Sequence, residues 1–423
     1  MRHILSLYYF VLAVKKAKRP ERPLLYDGRV LLLIFKRNAK MGIVTALETD
    51  IDPDGLLEYS VVFNDRSLNH MSASFQTVMR EISASLKEAY SAKSAILVPG
   101  GGTFGMEAIA RQFGTDKRCL VVRNGWFSFR WSEIFEKGKI AAETKVLYAS
   151  QRQQPDGDNK IKSFAPSPLS DIVAEIAAYK PEIVCAPHVE TSAGMVLPDD
   201  YIAGIADAVH DAGGLFILDC VASGALFVDM EKLGVDILLT APQKGWSATP
   251  CAGVVMLSER GRAAIEHTVS TSYACDLRKW LSIMETYENG GHAYHATLPT
   301  DGLKTFRDAL LETKSHGFTS IKQAQIDLGI KMRALLEQHG FVSVAADGFK
   351  AASVIVNFTT DPDMKTGKKF AEQGVQIAAG VPLEVGEPDD YMSFRIGLFG
   401  LDKLLNIDRT VANFEAALTK ISA

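Results

Sequence analysis

Residues 213–246 read GGLFILDCVASGALFVDMEKLGVDILLTAPQKGW and contain two short apolar runs, each followed by polar residues. Asp219 ends the first run, and Lys244 lies just past the end of the second. Continuous apolar runs of this length are typical of parallel strands that helices cover on both faces. Because the carboxyl ends of neighbouring parallel strands open onto the same crevice, we expect Asp219 and Lys244 to face one ligand.

The same alternation of apolar runs and amphipathic segments begins near residue 75, which predicts an α/β fold with a doubly wound, mostly parallel sheet. After about residue 305 the pattern changes to a long polar helix, two strand-like runs (ASVIVNF and YMSFRIGLFG) and one closing helix, LDKLLNIDRTVANFEAALTKI. This pattern predicts a smaller C-terminal α+β domain. The predicted division is an N-terminal extension (1–40), an N-terminal arm (41–74), a large domain (75–305) and a small domain (306–423).

The composition is that of an ordinary soluble globular enzyme, with 47% hydrophobic and 23% charged residues in a chain of 423. A net charge of −4 gives no reason to expect nucleic acid or an anionic membrane as a partner. The five cysteines are scattered and include no C-x-x-C pair, which favours reduced thiols in the cytoplasm. No motif indicates a metal site.

The first 40 residues contain an apolar run, ILSLYYFVLAV, followed by the basic segment KKAKRPERP. The run is shorter than the roughly 20 residues that cross a bilayer, and no small-residue cleavage site follows it. We interpret these residues either as a misassigned start, with Met41 the true first residue, or as an extension that is poorly ordered or weakly membrane-seeking.

A glycine-rich turn lies in AILVPGGGTFGMEAIA, residues 95–110, where Gly100, Gly102 and Gly105 form G-x-G-x-x-G between a predicted strand and a predicted helix. A dinucleotide site requires an acidic residue at the end of the next strand, CLVVRNG, but Arg123 occupies that end. An arginine there leaves an NADP-dependent oxidoreductase open. The alternative is that the helix N-terminus binds a different phosphate.

Together with the glycine turn, Asp219 and Lys244 match the needs of pyridoxal 5′-phosphate. That cofactor requires a lysine amine, a carboxylate that keeps the pyridine nitrogen protonated, and a cup for its phosphate. The same lysine can then move a proton at the substrate Cα. The residues therefore favour this cofactor over a dinucleotide.

At these motifs the sequence resembles class V aminotransferases of the fold-type I pyridoxal-phosphate superfamily, close to the alanine–glyoxylate and serine–pyruvate group. The resemblance extends from about residue 90 to the C-terminus. It implies that Lys244 in APQKG is the Schiff-base lysine, that Asp219 holds the pyridine nitrogen, and that Gln243 reaches the phosphate.

The resemblance also implies a phosphate cup shared by two subunits of a homodimer. Gly101, Gly102 and Thr103 of GGGT would bind phosphate oxygens within one subunit. The segment YHATLPT would enter the neighbouring site, so that Tyr294 and Thr297 complete the cup there.

Three further motifs that match the family surround the ring and the substrate. RNGWFSFRW would place Phe127 on the pyridine face, and HVETSAG would place Glu190 and Thr191 beside the ring and its hydroxyl. SFRIGLFG would supply Arg395, whose planar fork suits a substrate carboxylate.

The sequence departs from the family near its N-terminus, where a T-P-G-P-like turn usually lines the substrate pocket. The corresponding region is interpreted as FNDRSLNHMS, residues 63–72, with Asn69 and His70 as replacement pocket residues. This departure affects the identity of the substrate more than the type of reaction.

The resemblance therefore implies a homodimeric aminotransferase that moves an amino group from a small amino acid, alanine or serine first, to glyoxylate or pyruvate. A 2-aminoethylphosphonate donor stays open because the same arginine can hold a phosphonate. A lyase such as a cysteine desulfurase is disfavoured, because it needs a cysteine well downstream of the lysine and none follows Cys275.

Overall fold

The structure is a computed structural model that describes residues 51–52, 55–152 and 163–422. The predicted extension at residues 1–40 and most of the arm before residue 55 lie outside the described residues. Among the helices of the described ranges, none is both long enough and apolar enough to cross a membrane.

The strands of the described chain are β1 (Ser94–Pro99), β2 (Arg118–Arg123), β3 (Glu143–Tyr148), β4 (Ser150–Arg152), β5 (Ser163–Ala165), β6 (Ile183–Pro187), β7 (Val189–Glu190), β8 (Met195–Val196), β9 (Leu215–Asp219), β10 (Ile237–Thr240), β11 (Ala252–Leu257), β12 (Val354–Phe358), β13 (Ala378–Ala379) and β14 (Ser393–Gly397).

The helices are α1 (Ala73–Tyr90), α2 (Gly102–Phe113), α3 (Trp126–Lys137), α4 (Leu169–Tyr179), α5 (Asp199–Asp211), α6 (Met230–Leu233), α7 (Glu259–Ile265), α8 (Leu277–Glu288), α9 (Thr300–His316), α10 (Phe318–Gln338), α11 (Pro362–Thr366), α12 (Lys368–Glu372), α13 (Leu401–Leu405) and α14 (Ile407–Ser422).

The central sheet has seven strands in the order β1-β11-β10-β9-β6-β2-β3. Strands β10, β9, β6, β2 and β3 pair in parallel, whereas β11 runs antiparallel to both of its neighbours. The residues of β6, β10 and β11 are wholly buried, as the continuous apolar runs predict. The predicted fold class, a large and mostly parallel α/β sheet, is confirmed.

The register of the sheet places the ends of three parallel strands side by side. Asp219 pairs with Pro187 at the end of β6 and with Leu239 near the end of β10. Residues that follow β6, β9 and β10 therefore emerge at one edge of the sheet. This edge is the crevice that the sequence predicts for Asp219 and Lys244.

Close packing between α2 and β11 depends on glycines. A Cβ atom added to Gly253 in β11 would lie 2.6 Å from the backbone nitrogen of Gly105 and 2.8 Å from the backbone oxygen of Gly101. The last glycine of the G-x-G-x-x-G motif therefore serves helix–strand contact here. This contact sets the N-terminus of α2 at the same edge as the ends of β9 and β10.

A second sheet, ordered β12-β14-β13, follows in the chain and is antiparallel. It forms the smaller α+β part that the sequence predicts, although the boundary after residue 305 stays a prediction. A hydrogen bond connects this smaller part to the loop that follows Asp219. The Ser353 hydroxyl, just before β12, donates it to the Ala222 carbonyl at 2.8 Å.

The closing helix differs from the prediction of one continuous helix. It is two helices, α13 and α14, separated at Asn406, whose backbone leaves the helical region. The Asn406 side-chain Nδ2 donates to the Asp402 backbone carbonyl, and the Asn406 backbone carbonyl accepts from the Thr410 amide. Asparagine competes with backbone hydrogen bonding in this way and thereby favours helix ends over helix interiors.

We expect Gly253→Ala to lower the free energy of unfolding by about 1–3 kcal/mol, because the added methyl group meets backbone atoms that no side-chain rotation can move. Gly101→Ala is the matched control, since a Cβ there meets nothing within 4 Å. Urea unfolding of the two variants measures the difference. Equal stability of the two variants would contradict the packing argument.

Candidate active site

Asp219 is the last residue of β9, and its carboxylate is buried at the crevice. Its Oδ1 accepts a hydrogen bond of 3.0 Å from the Val221 amide. Burial raises the pKa of Asp219 to about 6, and the positive charge of Arg130 opposes this rise. A carboxylate in this position is well placed to hold a cationic N–H group, which would restore its charge balance.

Lys244 lies in the turn after β10 and is half-buried. This turn packs directly on the loop after β9, since a Cβ at Gly245 would overlap the Gly224 carbonyl. Gly224 has a φ of +64°, which favours glycine at that position as well. The two glycines therefore let the backbones that carry Lys244 and Asp219 come into contact.

The Lys244 ammonium group forms no ion pair with a carboxylate of the described residues and lies 5.3 Å from the centroid of the Phe399 ring. Burial lowers the pKa of the Lys244 amine, and the charges of Arg395 and Arg130 lower it further. A lowered pKa increases the fraction of neutral amine, which is the nucleophilic form.

A cavity of about 240 Å³ lies between these strand ends and the starts of α2 and α3. Seven of its lining residues are predicted site residues: Gly102, Thr103, Phe127, Thr191, Asp219, Gln243 and Lys244. The other lining residues are Met106, Arg130, Pro187, Val189, Val221 and Ala222. One cavity thus brings together residues that lie far apart in the sequence.

The N-terminus of α2 forms one wall of this cavity. The N-cap, Gly101, has no side chain, and N–H groups in the first turn of a helix have no acceptor within the helix. The Gln243 side-chain oxygen is buried there and has no hydrogen-bond partner among the described residues. The open N–H groups at the start of α2 form a site that suits an anion.

Glu190 is buried beneath the start of α3, where it binds backbone groups. Its two carboxylate oxygens accept hydrogen bonds from the amides of Phe127 (3.1 Å) and Ser128 (2.9 Å), and from the Ser128 and Ser192 hydroxyls (2.7 Å each). Glu190 therefore holds the helix that carries Phe127. Its predicted place beside the cofactor ring or substrate stays a prediction, while its neighbour Thr191 lines the cavity.

Arg395 lies in β14 beside the cavity. Its Nε donates a hydrogen bond of 2.7 Å to the Ala379 carbonyl, and its guanidinium carbon is 5.5 Å from the centroid of the Phe127 ring. The backbone contact restrains the side chain while its outer nitrogens stay available. Arg395 thus reaches the site across the boundary between the two sheets.

Asn69 and His70 do not line this cavity. Asn69 donates to the Glu58 carboxylate at 2.6 Å and accepts from the Met71 amide at 2.9 Å. His70 is buried, its Nδ1 has no hydrogen-bond partner among the described residues, and its ring centroid lies 5.4 Å from that of Tyr294. Their predicted role as substrate-pocket residues stays a prediction.

Tyr294 and Thr297 also lie away from the cavity of their own chain. Their hydroxyl oxygens are 3.2 Å apart, and 51% of Tyr294 is exposed. Both residues are therefore open to contact from another molecule.

The arginine that leaves the NADP interpretation open is engaged elsewhere. Arg123 is buried, donates to the Ser132 hydroxyl at 2.8 Å and to the Glu384 carbonyl at 3.3 Å, and stacks against the Phe129 and Tyr148 rings. It joins the end of β2 to the loop before β14. It does not line the cavity at the glycine turn.

The residues present therefore fit pyridoxal phosphate. Asp219 would hold the ring nitrogen, Phe127 would cover the ring, and the N-terminus of α2 with Gln243 would hold the phosphate. When bound, this cofactor supplies an electron-withdrawing ring that stabilises negative charge developing at the Cα atom of an amino acid. Lys244, with its lowered pKa, can accept a proton from that carbon and return it.

Among the lining residues that sequence reasoning missed, Arg130 is the charged one. It lies three residues after Phe127 in α3, so both side chains are on one face of the helix. The three-residue spacing places Arg130 on the same face as Phe127, but only the packing of α3 beside α2 shows that this face is turned to the cavity.

Comparison with known proteins gives the same result at the level of the family. Residues 56–382 match the family model for class-V aminotransferases. A 2-aminoethylphosphonate–pyruvate transaminase of Syntrophobacter fumaroxidans is 26% identical over 331 residues, which cover 76% of this chain and 82% of the relative. An alanine–glyoxylate aminotransferase of Rattus norvegicus is 25% identical over 364 residues, which cover 84% and 82%. The crystal structure of an alanine–glyoxylate aminotransferase from Nostoc sp. has a TM-score of 0.69 at 21% identity, with coverage of 84% and 89%.

We expect Asp219→Asn to stabilise the cofactor-free protein above about pH 6. The native pKa of Asp219, about 6, exceeds the usual value of about 3.9, so the native state binds this proton more tightly than the unfolded state. Wild-type stability should therefore fall as the pH rises from about 4 to 6, whereas asparagine does not titrate. The expected gain is about 3 kcal/mol at pH 8 and vanishes near pH 4.

Urea unfolding of the cofactor-free proteins between pH 4 and pH 8 measures this difference. Asp211→Asn, at an exposed position in α5, is the control and should follow the wild-type pH profile. A variant at position 219 that is no more stable than wild type at pH 8 would contradict the buried-charge argument.

Proposed function

This chain belongs to the class-V aminotransferase family and is a pyridoxal-phosphate-dependent transaminase, and from this premise we propose its substrates. We propose that it moves an amino group from a small amino acid, alanine or serine first, to glyoxylate or pyruvate. The observation that carries the proposal is one cavity that joins Lys244, Asp219 and Phe127, with Arg395 beside it.

The size of the cavity supports small substrates. Its volume of about 240 Å³ is below the range of about 300–1,000 Å³ that is usual for ligand pockets. Arg395 would bind the carboxylate that amino acids and 2-oxo acids share, through two parallel N–H groups.

A second candidate donor is 2-aminoethylphosphonate, the substrate in the name of one relative. The guanidinium of Arg395 can hold a phosphonate as readily as a carboxylate. The two donors place their anionic groups at different distances from the amine, so a donor screen separates them. Alanine, serine and 2-aminoethylphosphonate would each be tested with glyoxylate and with pyruvate.

We further propose a homodimer in which Tyr294 and Thr297 complete the phosphate cup of the neighbouring subunit. Large exposed side chains support this assembly, among them Tyr294, Tyr273 and Phe104, the last in the first turn of α2. A cytoplasmic location is proposed from the five unpaired cysteines, four of which are buried.

We expect Lys244→Ala to abolish turnover with every donor while leaving the fold intact, because no other lysine lines the cavity. Lys232→Ala, at an exposed position in α6, is the control and should retain wild-type rates. The measurements are transamination with alanine and glyoxylate and far-ultraviolet circular dichroism. Wild-type turnover by the Lys244 variant would refute the assignment of this lysine.

The dimer is tested by mixing two inactive variants, Lys244→Ala and the double variant Tyr294→Ala, Thr297→Ala. If the cup is completed across the interface, a mixed dimer holds one intact site, built from Lys244 of one subunit and Tyr294 of the other. Random pairing makes half of the dimers mixed, so co-expression should restore about a quarter of wild-type activity. No recovery in dimers shown to be mixed would mean that these residues act within their own subunit.

A further inference from the structure

Arg130 is a cation at the cavity without an acidic partner. Its Nη1 is 3.5 Å from the Thr103 hydroxyl, and its guanidinium carbon lies 4.7 Å from the centroid of the Phe127 ring. No carboxylate in the part of the chain that the structure describes forms an ion pair with it. A half-buried guanidinium that faces a cavity and forms no ion pair with a described residue is best satisfied by an anionic ligand.

The surroundings of Arg130 concentrate positive potential at one end of the cavity. Thr103 belongs to the first turn of α2, where the open N–H groups carry the positive end of the helix dipole. Arg130 approaches this turn from α3, which packs beside α2. Two positive groups from different helices therefore face the same space.

We propose that Arg130 binds the phosphate of pyridoxal phosphate, together with Thr103 and the N-terminus of α2. A phosphate carries up to two negative charges and accepts two parallel N–H bonds from a guanidinium fork. The Phe127 ring supports the guanidinium plane through a cation–π contact, so less side-chain freedom is lost on binding. The inference rests on the proposed function only in requiring that the cofactor binds.

Under this assignment the two arginines near the Phe127 ring, Arg130 and Arg395, bind different ligands. Arg395 is held by the Ala379 carbonyl in β14, whereas Arg130 contacts the phosphate-cup residue Thr103. Arg130 therefore serves the cofactor and Arg395 serves the substrate carboxylate. In support of a position close to the reacting groups, the charge of Arg130 lowers the pKa of Lys244.

The test compares cofactor affinity with and without the phosphate group. Dissociation constants for pyridoxal phosphate and for pyridoxal, which lacks the phosphate, are measured by absorbance titration of the wild type, Arg130→Gln and Arg130→Lys. For Arg130→Gln we expect the constant for pyridoxal phosphate to rise about 10–100-fold and that for pyridoxal to stay unchanged. Arg130→Lys keeps the charge but loses the fork, so its rise should be smaller.

Arg395→Gln is the matched control, because it removes an equal charge beside the same ring. It should leave both dissociation constants unchanged and raise KM for alanine. Circular dichroism and the unfolding midpoint show whether each variant is folded.

Two results would overturn the inference. Equal weakening of pyridoxal phosphate and pyridoxal by Arg130→Gln would mean a structural role. Unchanged affinity for pyridoxal phosphate, with KM raised only for substrates that carry a second acidic group, would mean that Arg130 binds substrate. Failure of the wild type to bind pyridoxal phosphate would instead refute the cofactor assignment itself.

Discussion

Parallel pairing of β9 with β10, closed by the backbone contact between Gly245 and Gly224, sets a carboxylate and an amine at one edge of the sheet. Everything else at the site is arranged around this pair. The contact between Gly105 and Gly253 brings the N-terminus of α2 to the same edge. A larger side chain at one of these glycines would push the two contacting backbones apart and displace the residues that line the cavity.

Burial shifts the pKa values of Asp219 and Lys244 in opposite directions, and both shifts favour the neutral form. It raises the pKa of Asp219 and lowers that of Lys244, so each is driven towards its neutral form without a ligand. In the cofactor-free protein, burial therefore destabilises the charged forms of Asp219 and Lys244. A ring nitrogen that carries a proton gives Asp219 a counter-charge, which links cofactor binding to stability.

Much of the site could be predicted from sequence because its residues stand at ends of regular elements. Asp219 and Lys244 follow apolar runs, and Thr103 opens a helix after a glycine turn, so local patterns are sufficient. Arg130 and the role of Glu190 were out of reach, since both depend on how α3 packs against other elements. The break at Asn406 was missed because the apolar spacing continues across it, while a local hydrogen bond ends the helix.

The sequence by itself determined the mostly parallel sheet, the edge at which the cavity lies and the type of cofactor, because strand patterns and the residues that end strands are local properties. Only the tertiary structure decided which polar groups face the cavity. Glu190 is adjacent to a lining residue, yet its carboxylate accepts hydrogen bonds from the amides of α3, whereas Arg130 lines the cavity and forms no ion pair with a described residue. Side-chain direction at these positions follows from contacts between distant segments, which no local pattern records.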